Sequence, residues 1–167
     1  MMNDLIKKIA DTINNHTYIV DEWLLNSLDE EAKKPAYSSR KNVNALALEF
    51  TAKHVGSMQT LDKLDNEGYQ WRHDWAFSDE VLIDLKRKPN KYSNVSLTGI
   101  LKMVESYNCN QLTHIVAFSQ NIEEDYKIGQ KLTFKFEGML PLKDAIRTSA
   151  RTSSDYRLLN VNCLQNV

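Results

Sequence analysis

The chain has 167 residues, a length that predicts one domain with a sizeable hydrophobic core. Hydrophobic residues make up 42% of the chain and charged residues 26%, with three prolines and five glycines, which excludes global disorder. The formal net charge of −1 excludes a bulk polycation, so any contact with nucleic acid must come from a local basic patch.

The cysteine usage and the N-terminal stretch indicate where the protein is found. Cys109 and Cys163 lie outside any CxxC or Cys/His spacing, so neither a zinc site nor a disulfide framework is predicted. The first residues, MMNDLIKKIADTINN, contain no apolar run long enough for a signal peptide, and no segment approaches the length of a membrane span. We therefore expect a cytoplasmic protein with no membrane partner.

Two amphipathic helices are predicted first along the chain. Residues 3 to about 15 form one of them, because apolar side chains recur on one side, at Leu5, Ile6, Ile9 and Ile13. The second covers VDEWLLNSLDEEA, where Asp21 can cap the helix. Its inward-facing residues are predicted to be Trp23, Leu24 and Leu28.

A third helix and a β-hairpin come next. The stretch NVNALALEFTAKHVG has apolar residues at helical spacing, with Glu49 beside the apolar stripe and Gly56 suited to end the helix. The pattern then changes to the two-residue period of strands, in GYQWRHDWAF and again in EVLIDLKRK. Ser78-Asp79 is a plausible turn between these two strands.

The remaining elements complete a mixed architecture. A helix beginning at Ser96 is followed by the buried strand THIVAFSQ, the alternating strand QKLTFKFEG and a helix over 142–152. This order predicts an α/β fold, bordering on α+β, with a central mixed sheet flanked by helices. The helix after Ser96 is expected to cross over between two parallel strands.

A single domain over residues 1–167 is predicted to contain three parts. They are a helical N-terminal extension (1–42), a core (43–120), and a C-terminal strand with a basic helix (121–167).

Folding the hairpin at Asp79 predicts a definite register, in which the numbers of facing residues sum to 158. Asp74 then faces Asp84, Trp75 faces Ile83, and Ala76 faces Leu82. Opposed Cβ atoms in such a pair lie roughly 4.5–5.5 Å apart. Lys86 projects from the same face as Asp84 because side chains alternate along a strand. A slip of one residue would send one aspartate to the opposite face.

Two carboxylates at this separation repel each other unless a positive charge lies between them. A divalent cation resolves the repulsion, and Mg²⁺ binds one or two protein carboxylates while keeping several waters. A water bound in this way is more acidic than bulk water and can become a nucleophile. Lys86 is suited to orient or deprotonate that water, or to stabilise charge developing on a phosphate.

The residues Asp74 and Asp84-Leu85-Lys86 resemble the signature of the PD-(D/E)XK nuclease superfamily. The resemblance covers roughly residues 43–120 and implies a restriction-endonuclease-like core, in which both acids bind the metal and Lys86 assists the attacking water. It further implies that Glu49 and the backbone carbonyl of Leu85 are metal ligands. His73 stands where the superfamily has its proline, and Asp62 or Asp65 stays open as the upstream acid in place of Asp74.

The function implied by this resemblance is that of a DNA endonuclease dependent on Mg²⁺ or Mn²⁺. Such a small domain would cut both strands as a homodimer, with one active site for each strand. Endonuclease and exonuclease action both stay open, as do the structure and the sequence of the DNA.

Basic residues are predicted to contact the DNA from two places. Arg87, Lys88 and Lys91 follow the proposed metal site directly. A second group, Lys143, Arg147 and Arg151, recurs every four residues and would line one face of the C-terminal helix.

Two other interpretations of the same residues stay open. One is a nucleic-acid-binding or regulatory module with the same fold and no catalysis, and the second is a structural domain that binds another protein. In the second case Asp84 and Lys86 form an ordinary ion pair on a solvated strand face, and the basic helix is a solvated face of mixed charge.

Overall fold

A computed structural model describes most of the chain outside its central part. The described residues are 2–32, 44, 47–48, 50–51, 75–76, 81–97, 112–123, 125–153 and 156–166. The predicted turn at Ser78-Asp79, the proposed helix stop at Gly56 and residues 98–111, which include the body of the helix predicted from Ser96, lie outside them. The predicted start of that helix at Ser96 is wrong, because Ser96 ends a strand that pairs with Leu158.

Both predicted N-terminal helices are confirmed. Helix α1 covers Met2–Asn14, a short strand β1 covers Thr17–Ile19, and helix α2 covers Glu22–Ala32. The side-chain oxygen Oδ1 of Asp21 accepts a hydrogen bond from the backbone N–H of Leu24 at 2.9 Å, which confirms the predicted cap of α2. Strand β1 was not predicted from the sequence pattern.

The predicted inward position of Trp23 is wrong. Leu24 and Leu28, four residues apart on α2, are buried, whereas Trp23 is 47% exposed. One residue along a helix turns the side chain by about 100°, so a neighbour of the buried stripe points away from it. The indole instead meets the ring of Phe50 edge-on, with ring centroids 6.3 Å apart.

In the described part of the chain, seven further strands and β1 build two sheets. They are β2 (Trp75–Ala76), β3 (Val81–Arg87), β4 (Asn94–Ser96), β5 (Leu112–Gln120), β6 (Lys131–Pro141), β7 (Ala150–Ser153) and β8 (Tyr156–Asn160). The larger sheet has the order β1-β6-β5-β3-β2, and the smaller one has the order β4-β8-β7. The strands predicted from EVLIDLKRK, THIVAFSQ and QKLTFKFEG are thus confirmed as β3, β5 and β6.

The larger sheet is mixed. Strands β3 and β5 pair in parallel, as predicted for two strands joined by a crossover, and the other neighbours in that sheet pair antiparallel. The described part of the chain is therefore a mixed α/β structure with helices beside a mixed sheet, which confirms the predicted class.

The larger sheet separates two hydrophobic clusters. On one face, Val116 and Phe118 of β5 pack in a first cluster with α1, α2 and the helical residues 47 and 48. On the other face, Ile115 and Ala117 pack in a second cluster with β4, β8 and the helix after β6. Strand β5 is buried on both faces, which explains the uninterrupted apolar run IVAF in its middle.

The helix predicted over 142–152 is shorter than expected. Helix α3 covers Leu142–Thr148 and ends at Ser149, whose backbone is extended (φ −77°, ψ 147°). The next residues form the hairpin of β7 and β8. Arg151 therefore lies on β7 and not on the helix, because pairing with β8 overrides the helical spacing of the basic residues. The C-terminal part of the chain adds a hairpin to the predicted strand and helix.

Helices α1, α2 and α3 have 13, 11 and 7 residues. None of the described helices combines the length and the apolar character needed to cross a membrane.

Strand β1 ties α2 to the sheet through Tyr18. The ring of Tyr18 is buried, and its hydroxyl donates a hydrogen bond to Oδ1 of Asp21 at 3.1 Å. Burial of the hydroxyl, followed by the hydrogen bond and the negative charge of Asp21, raises the pKa of Tyr18 from 10.0 to about 12.

This pKa predicts a specific loss of stability in alkali. The folded state holds the Tyr18 proton more tightly than the unfolded state, so its stabilising effect is complete below about pH 10 and is lost as the pH rises towards about 12. We expect the difference in free energy of unfolding between wild type and Tyr18→Phe to shrink over that range. Urea unfolding at a series of pH values measures it, and a constant difference would contradict the assignment.

Candidate functional site

The side chains of strand β3 alternate between the two faces of the larger sheet. Ile83 and Leu85 pack in the first hydrophobic cluster. The intervening residues Asp84 and Lys86 project from the opposite face because side chains alternate along a strand. Nζ of Lys86 lies 2.9 Å from Oδ2 of Asp84, so the two form an ion pair on that face.

The carboxylate of Asp84 lies in an apolar environment. Asp84 is 5% exposed, and in the parallel register it stands beside Ile115, while Lys86 stands beside Ala117. Burial of a carboxylate costs free energy unless it is paired, and the ammonium of Lys86 offsets that cost. Asp is also disfavoured in strands, so the position breaks two local rules of folding, which is typical of functional sites.

The predicted register of the hairpin is confirmed in the described residues. Trp75 pairs with Ile83 and Ala76 pairs with Leu82 in antiparallel orientation, and both pairs of numbers sum to 158. Asp74 precedes Trp75 in the chain but lies outside the described residues. Its role as the partner acid of Asp84 therefore stays a prediction.

The other predicted metal ligands are placed only in part. Glu49, Asp62 and Asp65 lie outside the described residues. Leu85 lies in the middle of β3, opposite Val116 in the register, with its side chain in the first cluster. Within the described ranges, no group of three or more His, Cys, Asp or Glu side chains is arranged to hold a metal ion. The carboxylate of Asp84 has the oxygen donors that Mg²⁺ prefers.

The three basic residues after the ion pair differ in their environments. The side chain of Arg87 is only 9% exposed, and its NH1 donates to Oε1 of Glu123 at 2.8 Å. Lys88 is half-buried, and its Nζ donates to the carbonyl of Pro89 at 3.2 Å. Lys91 is exposed. Of these predicted DNA contacts, Lys91 is the most open to a ligand.

The predicted basic face of the C-terminal helix is wrong in one of its three members. Lys143 and Arg147 lie on α3 and are exposed, whereas Arg151 lies on β7. Arg147 also forms an ion pair with Asp144, with 2.7 Å between NH2 and Oδ1. The helix therefore has two of the predicted residues, and their contact with DNA stays a prediction.

Glu123 is an important residue that the sequence did not reveal. Its Oε1 accepts hydrogen bonds from Arg87 and from the backbone N–H of Asn90, each at 2.8 Å. The amide of Asn90 in turn donates to the carbonyl of Gln120 at 2.9 Å. Glu123 therefore holds together the segments that follow β3 and β5. No spacing rule connects residues 36 positions apart, so no local signal was present.

His114 is not part of this site. It is buried, and it pairs in register with Ile83, whose side chain belongs to the first cluster on the face opposite Asp84.

The chain matches no family model, no curated protein and no solved structure in the comparisons made. The resemblance to the PD-(D/E)XK superfamily therefore depends on the residues and the order of the elements alone.

The pair of Arg87 and Glu123 predicts a measurable contribution to stability. Glu123→Ala leaves the guanidinium of Arg87 buried without its partner, and we expect the free energy of unfolding to fall by about 3 kcal/mol. The control is Asp144→Ala, which removes the partly exposed partner of the exposed Arg147 and should cost less than about 1 kcal/mol. Urea unfolding of both variants gives the comparison.

A second variant separates charge from packing. Arg87→Met combined with Glu123→Leu removes both charges and retains apolar volume, so it should lose less stability than Glu123→Ala alone. Equal losses in Glu123→Ala and Asp144→Ala would show that the Arg87 pair is energetically an ordinary surface pair.

Proposed function

We propose that the chain is a metal-dependent DNA endonuclease that hydrolyses phosphodiester bonds at a site built around Asp84 and Lys86. The observation that carries the proposal is the ion pair between the buried Asp84 and the half-buried Lys86 on β3, next to a hairpin with the predicted register. The site requires Mg²⁺ or Mn²⁺, and cleavage of both strands requires a homodimer.

The proposed ligands of the metal are oxygen atoms. Asp84 and Asp74 provide carboxylates, and Glu49 and the carbonyl of Leu85 complete the protein's contribution. When bound, the metal ion supplies a water acidic enough to attack a phosphodiester. The apolar surroundings of Asp84 strengthen its electrostatic interactions with a cation, because the effective dielectric constant there is lower than in water.

Lys86 has two roles in this proposal. In the absence of a cation it neutralises the carboxylate of Asp84, with 2.9 Å between Nζ and Oδ2. With a cation held by Asp84, the ammonium of Lys86 would turn towards the phosphate, where it would orient the water and stabilise the developing negative charge. The flexible four-carbon stem of lysine suits such a movement.

The order of the elements also supports a restriction-endonuclease-like core. The described helical residues 44, 47–48 and 50–51 precede the hairpin of β2 and β3, and β3 pairs in parallel with β5. The superfamily core has a helix, a strand meander with the two acids, a crossover and a further strand.

A second candidate function is that of a nucleic-acid-binding or regulatory module without catalysis. The observation in its favour is that Lys86 already neutralises Asp84, so the fold tolerates the buried carboxylate without any metal ion. The two candidates differ in their requirement for a divalent cation.

The first test is cleavage of supercoiled plasmid in the presence of Mg²⁺ or Mn²⁺. We expect the wild type to nick the plasmid, and Lys86→Ala to lose at least about a hundredfold in rate because an electrostatic contact in the transition state is removed. Lys8→Ala, an exposed lysine on α1, is the matched control and should nick normally. No nicking by the wild type, or equal nicking by Lys86→Ala, contradicts the proposal.

Lys86→Ala leaves Asp84 buried without this partner, so its folding is checked by circular dichroism. If it unfolds, the double variant Asp84→Asn with Lys86→Met replaces it, since both charges are then removed together. That variant should fold and have no nicking activity.

The second test measures metal binding without any substrate. A cation that binds the folded state alone raises the melting temperature, and we expect Mg²⁺ or Mn²⁺ to do so for the wild type. Asp84→Asn should abolish the shift, while Asp144→Asn, a control at a partly exposed carboxylate on α3, should retain it. A wild type without any shift favours the module without catalysis.

A further inference from the structure

The segment that follows β3 is held in a fixed position at the carboxyl end of two parallel strands. We refer to residues 88–93, KPNKYS, as the platform loop. Open α/β sheets bind ligands outside the carboxyl ends of their parallel strands, and β3 and β5 form such a pair. The loop also follows Lys86 by only one residue, so it lies beside the proposed catalytic pair.

Several hydrogen bonds fix the platform loop at both ends. The backbone N–H of Lys88 donates to the carbonyl of Phe118 at 2.8 Å, and the carbonyl of Ser93 accepts from the N–H of Val161 at 2.9 Å. Between them, Asn90 is bonded through its backbone to Glu123 and through its side chain to the carbonyl of Gln120. The N–H of Tyr92 closes a turn on the carbonyl of Pro89 at 3.3 Å. The backbone is thus set before any ligand arrives.

The side chains at the tip of this rigid loop point into solvent. Tyr92 is 65% exposed, and Lys91 beside it is exposed as well. An exposed aromatic ring has gained little from burial in folding, and on a fixed backbone it can bind a ligand at a low cost in conformational entropy. Among the described residues of the loop, the exposed ones next to this ring, Asn90 and Ser93, are polar, which suits a polar ligand better than the apolar surface of a protein partner.

We infer that the platform loop binds single-stranded DNA, with the ring of Tyr92 stacked on an unpaired base and Lys91 on an adjacent phosphate. A ring face stacks only on a base that has left its own stack, which selects unpaired nucleotides over duplex. The inference deepens the proposed function and rests on it, because it gives the same site a substrate with single-stranded character.

The test is equilibrium binding of the full chain to a fluorescein-labelled oligo(dT) by fluorescence anisotropy, in EDTA so that no cleavage occurs. A duplex of equal length is the comparison. We expect tighter binding to the single strand, a loss of roughly tenfold in affinity for Tyr92→Ala and little loss for Tyr92→Phe, which retains the ring. Ile128→Ala, at an exposed apolar residue elsewhere, is the matched control and should bind as wild type does.

Lys91 is tested through the salt dependence of the same binding. One phosphate contact on a single strand contributes about 0.7 to the slope of log K against log salt concentration. Lys91→Ala should lower the slope by that amount, whereas Lys8→Ala on α1 should leave it unchanged. An unchanged slope for Lys91→Ala overturns the phosphate contact.

Other outcomes overturn the inference directly. They are equal affinity for single strand and duplex, Tyr92→Phe as weak as Tyr92→Ala, or no binding by the wild type. The binding test is independent of cleavage: stacking on Tyr92 without any nicking supports the platform loop and contradicts the nuclease, whereas nicking that depends on Lys86 with normal binding by Tyr92→Ala contradicts only the platform loop.

Discussion

The parallel pairing of β3 with β5 determines where every described side chain of the candidate site lies. In this register β3 presents its apolar residues Ile83 and Leu85 to the first cluster, on the same face of the sheet as Val116 of β5. Asp84 and Lys86 are then necessarily directed to the other face. A shift of one residue in this register would place the carboxylate among the side chains of the first cluster, so core packing and the position of the ion pair are fixed by the same constraint.

The ion pair itself gives the fold no obvious advantage in stability. Replacement of a buried pair by apolar residues is often neutral or stabilising, because desolvation consumes most of the Coulomb energy. The position beside Ile115 would accept an apolar side chain on grounds of packing alone, since that strand is already buried on both faces. An aspartate at this position therefore breaks the local preference for apolar residues without a gain in stability, and the proposed binding of a cation would give it a function.

Local patterns predicted those parts of the molecule whose energetics are local. The alternation in EVLIDLKRK and the apolar run in THIVAFSQ were enough for β3 and β5, and turn chemistry was enough for the register of two hairpin pairs. Prediction failed where distant contacts decide the outcome. Arg151 has the helical spacing of the basic residues, but it lies on β7 and pairs with β8. Glu123 and Arg87 are far apart in the sequence and come into contact only in the folded chain. The acids partnered with Asp84 are a prediction of the sequence alone.

The contrast among Arg87, Lys88 and Lys91 shows why composition alone cannot identify a binding surface. All three belong to one basic segment of the sequence. However, Arg87 forms an ion pair with Glu123, and Nζ of Lys88 donates a hydrogen bond to the carbonyl of Pro89. The contacts of Arg87 and Lys88 therefore fix the backbone of the platform loop. Lys91 and Tyr92 are exposed on that loop. A positive charge that fixes a backbone aids recognition indirectly, since a ligand binding to a preorganised loop loses less conformational entropy than one that must order it.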